Sequence, residues 1–96
     1  MQSILIVDDE ISIRESLTGI LQDEGFHPVS VESGERAIER VSEEKPDLVL
    51  LDIWMPGMDG METLTKIRDI YPDQLVIIMS GHGTIETAVK ATKLGA

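Results

Sequence analysis

Ninety-six residues with 42% hydrophobic content suffice for one compact domain and not two. Eighteen acids against eight Lys and Arg give a formal net charge of -10, which repels a phosphate backbone, so this segment itself is not expected to bind nucleic acid. The absence of cysteine excludes a disulfide framework or thiolate metal site, and the four apolar residues after Ser3 are too few for a signal peptide or membrane span; the cytoplasm is the expected compartment.

Short branched apolar runs alternate with helical patterns along the chain. Ile4 to Val7 is the first run, read as a buried parallel strand. Ile13, Leu17, Ile20 and Leu21 then share one helical face, in a segment that ends near Gly25. Pro28 to Val31 is a weaker strand, and its proline places it at a sheet edge, where a missing N–H is tolerated. Ser33 is positioned to cap a second helix that carries Ala37, Ile38 and Val41. Leu48 to Leu51 is the third strand. A third helix carries Met61, Leu64 and Ile67; Asp59 and Glu62 resemble a capping box at its start, and Pro72 stops it after Ile70. Leu75 to Met79 is the fourth strand. Ile85, Ala88, Val89 and Thr92 form a last helical stripe, with Thr84 as its cap and Gly95 at its end. Four strand-helix units with right-handed crossovers make an α/β, doubly wound parallel sheet.

Ligands of such sheets bind beyond the carboxyl ends of the strands. The residues there are Asp8 and Asp9, then Asp52, then Ser80. If the first and third strands are neighbours, roughly 4.8 Å apart, three carboxylates converge. They repel one another unless a hard cation holds them, and Mg²⁺ commonly combines one or two carboxylates with water and phosphate oxygens. Asp52 could then act as a nucleophile that forms an acyl phosphate, with the Ser80 hydroxyl donating to a phosphoryl oxygen. A single Asp after a strand is more often a cap or turn former, and either Asp8 or Asp9 alone would be read that way. Four polar residues at three strand ends are not so easily dismissed.

The segment Val7 to Glu10, the run Pro46 to Asp52 with Ile53 to Gly60, and Met79 to Gly83 resemble the motifs of the response-regulator receiver family across essentially the whole chain. The loop from Asp52 to Gly60 and the segment from Ser80 to Ala96 are similar to receivers of the NtrC class, especially NtrX-like regulators. The resemblance implies a flavodoxin-like sheet of order 2-1-3-4(-5), with Asp52 as the phosphoacceptor. Asp8 and Asp9 form the acidic pocket, Asp9 being the more direct Mg²⁺ ligand, and Trp54 adds its backbone carbonyl. Ser80 matches the hydroxyl switch. The implied partners are a sensor histidine kinase and, in the full-length protein, an ATPase and a DNA-binding effector. The family lysine at the end of a fifth strand has no counterpart here, since Lys90 and Lys93 fall in the fourth helical pattern. Residues 1–96 are therefore expected to be a receiver domain truncated after four units. If they were the whole polypeptide, Leu75 to Met79 would form an apolar edge, and a homodimer or larger association would be expected.

Pro56, Gly57, Asp59 and Gly60 have the composition of a turn, and Met55, Met58 and Met61 read as adaptable packing. His82 reads as a loop residue, because the family's donor histidine lies on the kinase, and His27 reads as structural. The competing functions are an aspartyl-phosphate phosphatase, which would want an Asp where Trp54 stands, and a Ca²⁺ loop, whose alternating acids Asp52 to Gly60 lack.

Overall fold

The computed structural model describes residues 2–52 and 60–79. Within them the elements run β1 (Ser3–Val7), α1 (Ile11–Asp23), β2 (His27–Val31), α2 (Gly34–Glu44), β3 (Leu48–Asp52), α3 (Gly60–Ile70) and β4 (Val76–Met79). The four strands form one parallel sheet of order β2-β1-β3-β4, as expected. Boundaries differ from the sequence reading by one or two residues. The fourth helical stripe, with Thr84 and Gly95, lies outside the described residues.

Strand alternation sorts the apolar side chains onto two faces. Leu5 stands beside Val49, and Val7 beside Leu51 and Val31, while Val49 neighbours Val76. These residues meet Ala37 and Val41 of α2 and Leu64 and Ile67 of α3 in one buried core. Each such side chain contributes about 1.5 to 3 kcal/mol when fully withdrawn from water. Helix α2 suits this position because its other face is charged, with Arg40 and Glu44 bonded at 2.9 Å, and Ser33 Oγ caps it by accepting from the Arg36 N–H. Glu44 and Lys45 end it. Lys45 takes the left-handed conformation at φ 46, immediately before Pro46.

The opposite face is covered differently. Ile4 and Ile6 are buried, whereas Ile77 is 52% exposed. Among the described residues helix α1 packs chiefly on β2 and β1, and it contains no fully buried residue. The expected stripe is thus split: Leu17 and Leu21 are half-buried, while Ile13 and Ile20 are exposed. The physical reason is lateral placement, since a helix centred over the β1 and β2 edge presents part of its apolar stripe past the strands it covers.

Two backbone details set the helix ends and the strand register. Gly25 ends α1 at φ 87, donating to the Gln22 carbonyl while Phe26 donates to Leu21, a C-cap that a residue with a Cβ adopts only under strain. At the opposite end of the sheet from the acids, Ser3 N–H donates to Asp47 Oδ2 at 2.7 Å and Asp47 N–H donates to the Ser3 carbonyl at 2.8 Å, which locks β1 against β3. An added Cβ at Gly25 meets no atom within 4 Å, so only the backbone opposes it. Gly25→Ala is therefore expected to lower stability by about 1 to 2 kcal/mol in urea unfolding, with an unchanged m-value. A loss below a few tenths of a kcal/mol would mean the turn relaxes out of the left-handed region.

Candidate functional site

The chain leaves β1 to form β2 on one side and returns to form β3 on the other. The carboxyl ends of β1 and β3 therefore flank the topological switch point of the sheet, where the crossover helices diverge and a crevice opens. Val7 pairs with Leu51, so Asp8 and Asp52 stand one residue further along adjacent strands. Asp52 is the last residue of β3, paired with Met79 rather than lying beyond the strand.

Asp8, Asp9 and Asp52 each offer a carboxylate oxygen, and these oxygens lie within 4.8 Å of one another. Asp8 and Asp52 are 6% and 7% exposed, and Asp9 faces solvent. Two unit negative charges about 4.8 Å apart repel by roughly 3 kcal/mol at an effective dielectric of about 20. Solvent screens the contribution of Asp9. The donor set is all oxygen, without imidazole or thiolate, so it could hold a metal ion and suits a hard one.

Asp8 is held from three directions. Its N–H donates to the Val31 carbonyl at 3.2 Å, its Oδ1 accepts from the Glu10 N–H at 2.9 Å, and its carbonyl accepts from the Arg14 guanidinium at 2.7 Å. The turn-forming role weighed for an isolated Asp is thus real, and it coexists with membership of the acidic cluster. Arg14 was not singled out by the sequence reading, although a signal existed: a cation in the first turns of a helix opposes the positive end of the helix dipole. The expected site residues Trp54 and Ser80 lie outside the described residues, as do Pro56, Gly57, Asp59, His82, Lys90 and Lys93. His27 is exposed at the start of β2, where its N–H donates to the Gln2 carbonyl at 2.8 Å.

This sheet order, with acids at the switch point, defines the CheY-like class of signalling module. The response regulator receiver domain model matches residues 4–96, and the chain belongs to that family. Within it the similarity runs to the NtrX and NtrC class. An NtrX-like response regulator of Rickettsia bellii is 50% identical over 95 residues, covering 97% of this chain and 20% of that protein. Sporulation initiation phosphotransferase F of Bacillus subtilis is 40% identical over 95 residues, covering 99% of this chain and 77% of that protein. The receiver domain of NtrX from Brucella abortus superposes with a TM-score of 0.91 at 43% identity, covering 97% of this chain and 79% of that one. The chain thus spans about a fifth of the length of its NtrX-like relatives. Among the described residues no helix is long and apolar enough to cross a membrane.

The double role of Asp8 makes its substitutions distinguishable. Asp8→Asn removes a charge but keeps an oxygen for the Glu10 N–H, so in chelator it is expected to raise stability by at least about 1 kcal/mol, or roughly 4 °C in Tm. Asp8→Ala also removes the acceptor, which costs about 1 kcal/mol and should cancel much of the gain. Thermal melts in which the Asn variant is no more stable than wild type would show that the carboxylates do not repel appreciably.

Proposed function

We propose that this receiver domain is a switch, phosphorylated on Asp52 by a partner sensor histidine kinase with Mg²⁺ bound at Asp8, Asp9, Asp52 and the Trp54 carbonyl. The carrying observation is the convergence of three carboxylates within 4.8 Å at the switch point, with Asp52 buried at the end of β3. Asp52 supplies the nucleophilic oxygen: as its bond to phosphorus forms, the P–N bond of the donor phosphohistidine breaks and the imidazole leaves, taking up a proton. Bound Mg²⁺ would supply charge neutralisation between the carboxylates and the incoming phosphoryl group. Burial limits water around Asp52, the Asp8 turn orients the acidic wall opposite it, and Ser80 is assigned the donor role toward a phosphoryl oxygen.

The one-fifth share of the NtrX-like relative supports a reading of residues 1–96 as the receiver portion of a longer cytoplasmic regulator. In that protein a fifth strand and helix complete the sheet, and ATPase and DNA-binding domains deliver the output. The domain is then a signalling module that assists its own phosphotransfer and dephosphorylation rather than a metabolic enzyme. A phosphatase reading has less support, because Trp54 occupies the position where a second catalytic Asp would be wanted. For the 96-residue chain alone, the exposed Leu75 and Ile77 beside and on β4 support self-association as a homodimer or larger species.

Three measurements test this reading. Asp52→Asn is expected to abolish covalent labelling by acetyl phosphate on a receiver of full length, and unchanged labelling would remove Asp52 from its role. Millimolar Mg²⁺ should raise the Tm of wild type through preferential binding to the folded state, with a smaller rise in Asp8→Asn. Light scattering of the 96-residue chain at tens of micromolar should report dimers or larger species, whereas a monodisperse monomer would show that the β4 side needs no cover.

A further inference from the structure

We infer that Arg14 is a positioning residue for the cation site, acting through the backbone of Asp8 rather than through charge neutralisation. The inference rests on the reading of Asp8, Asp9 and Asp52 as that site. Arg14 reaches back from the first turns of α1 and donates to the Asp8 carbonyl at 2.7 Å, in a half-buried position. Among the described residues it forms no ion pair with a carboxylate, although three carboxylates are gathered around the same turn. Its guanidinium has therefore not been placed to lower their mutual repulsion by direct contact.

The location is unfavourable for a cation on helix grounds alone. The first turn of α1 carries no acid, its N-cap Glu10 makes no side-chain cap bond, and the N-terminal dipole end repels positive charge. What Arg14 gains there is the carbonyl, and what the site gains is a fixed peptide plane. The Asp8 carbonyl belongs to the peptide that joins Asp8 to Asp9, so a donor on that oxygen restrains the rotation that aims the Asp9 side chain. The Asp8 N–H and Oδ1 are held by Val31 and Glu10. Among the described residues, the bond from Arg14 is the one that ties this carbonyl to the body of α1, a helix that packs on β1 and β2 without a fully buried residue. Outer partners that orient metal ligands in this manner commonly change metal affinity by about 10- to 100-fold when removed.

Two physical accounts of Arg14 give opposite signs. If it acted as a nearby positive charge, its removal would reduce repulsion toward a divalent cation and tighten binding. If it positions the Asp8 to Asp9 peptide, its removal loosens the ligands and weakens binding. Calorimetric titration of the metal-free chain with Mg²⁺ reads the sign directly, and Mn²⁺ electron paramagnetic resonance checks it by the loss of immobilised ion. Arg14→Ala is expected to raise Kd about 10-fold. Arg14→Gln keeps part of the aliphatic stem and an N–H donor on a shorter reach without the charge, so its Kd should fall between wild type and Arg14→Ala; Arg14→Lys should likewise recover part of the lost affinity. Circular dichroism verifies folding, and if Arg14→Ala does not fold, Arg14→Gln decides alone. A Kd equal to or below wild type in the folded variants overturns the positioning role while leaving the site intact. A wild-type chain that takes up no Mg²⁺ overturns the site itself, and this inference with it.

Discussion

Three carboxylates held within 4.8 Å of one another are the constraint around which this fold is organised. Two of them are buried, and burial withdraws the solvent that would otherwise screen their repulsion. Such an arrangement persists only if the backbone that carries it is stiff. Here the stiffness comes from paired strands: Asp52 lies within the β3 ladder, and Asp8 follows a strand whose last four residues are buried. The core beneath, from Leu5 and Val7 through Leu51 to Leu64 and Ile67, opposes the charge repulsion with apolar burial.

Topology explains why the acids meet at this place and not elsewhere. A chain that places β2 on one side of β1 and β3 on the other must send its crossovers to opposite faces, and the gap they leave lies above the ends of β1 and β3. Asp8, Asp9 and Asp52 occupy the two strand ends bordering that gap. An acid after β2 would have fallen at the sheet margin, and Glu32 there pairs loosely with Arg36 at 4.0 Å on the surface. An acid thus becomes part of a converging cluster or an ordinary surface group according to which strand precedes it.

Much of this was legible in the sequence, for identifiable reasons. The unbroken run Ile4 to Val7 announces a doubly covered strand, and its four residues are buried; Leu48 to Leu51 reads the same way, yet Leu48 and Leu50 are only half-buried, while Pro28 marks β2 as the edge that it is. Ser33 caps α2 as its position suggests. Periodicity was less informative for α1, because a stripe of Ile13, Leu17, Ile20 and Leu21 records which residues share a face without recording how squarely the helix sits on the sheet. Lys45 in the left-handed conformation has no sequence cue, since glycine would ordinarily announce such a position. Nor is the bond between Arg14 and the Asp8 carbonyl visible as periodicity or motif. It becomes apparent only when the turn after β1 has folded the chain back toward α1.

The two walls of the acidic site consequently differ in rigidity. Asp52 belongs to a ladder paired on both sides, and its neighbour Leu51 is fully buried. Asp8 and Asp9 belong to a turn whose downstream helix buries no residue completely. Free energies of local opening rise with buried apolar contact, so among the described elements α1 lies toward the low end and β3 toward the high end. A cation that requires ligands from both walls must therefore draw its order on the softer side from hydrogen bonds rather than from packing. The three bonds on Asp8, from its own N–H to Val31, from Glu10 to its carboxylate and from Arg14 to its carbonyl, supply that order at the one point where hydrophobic burial does not.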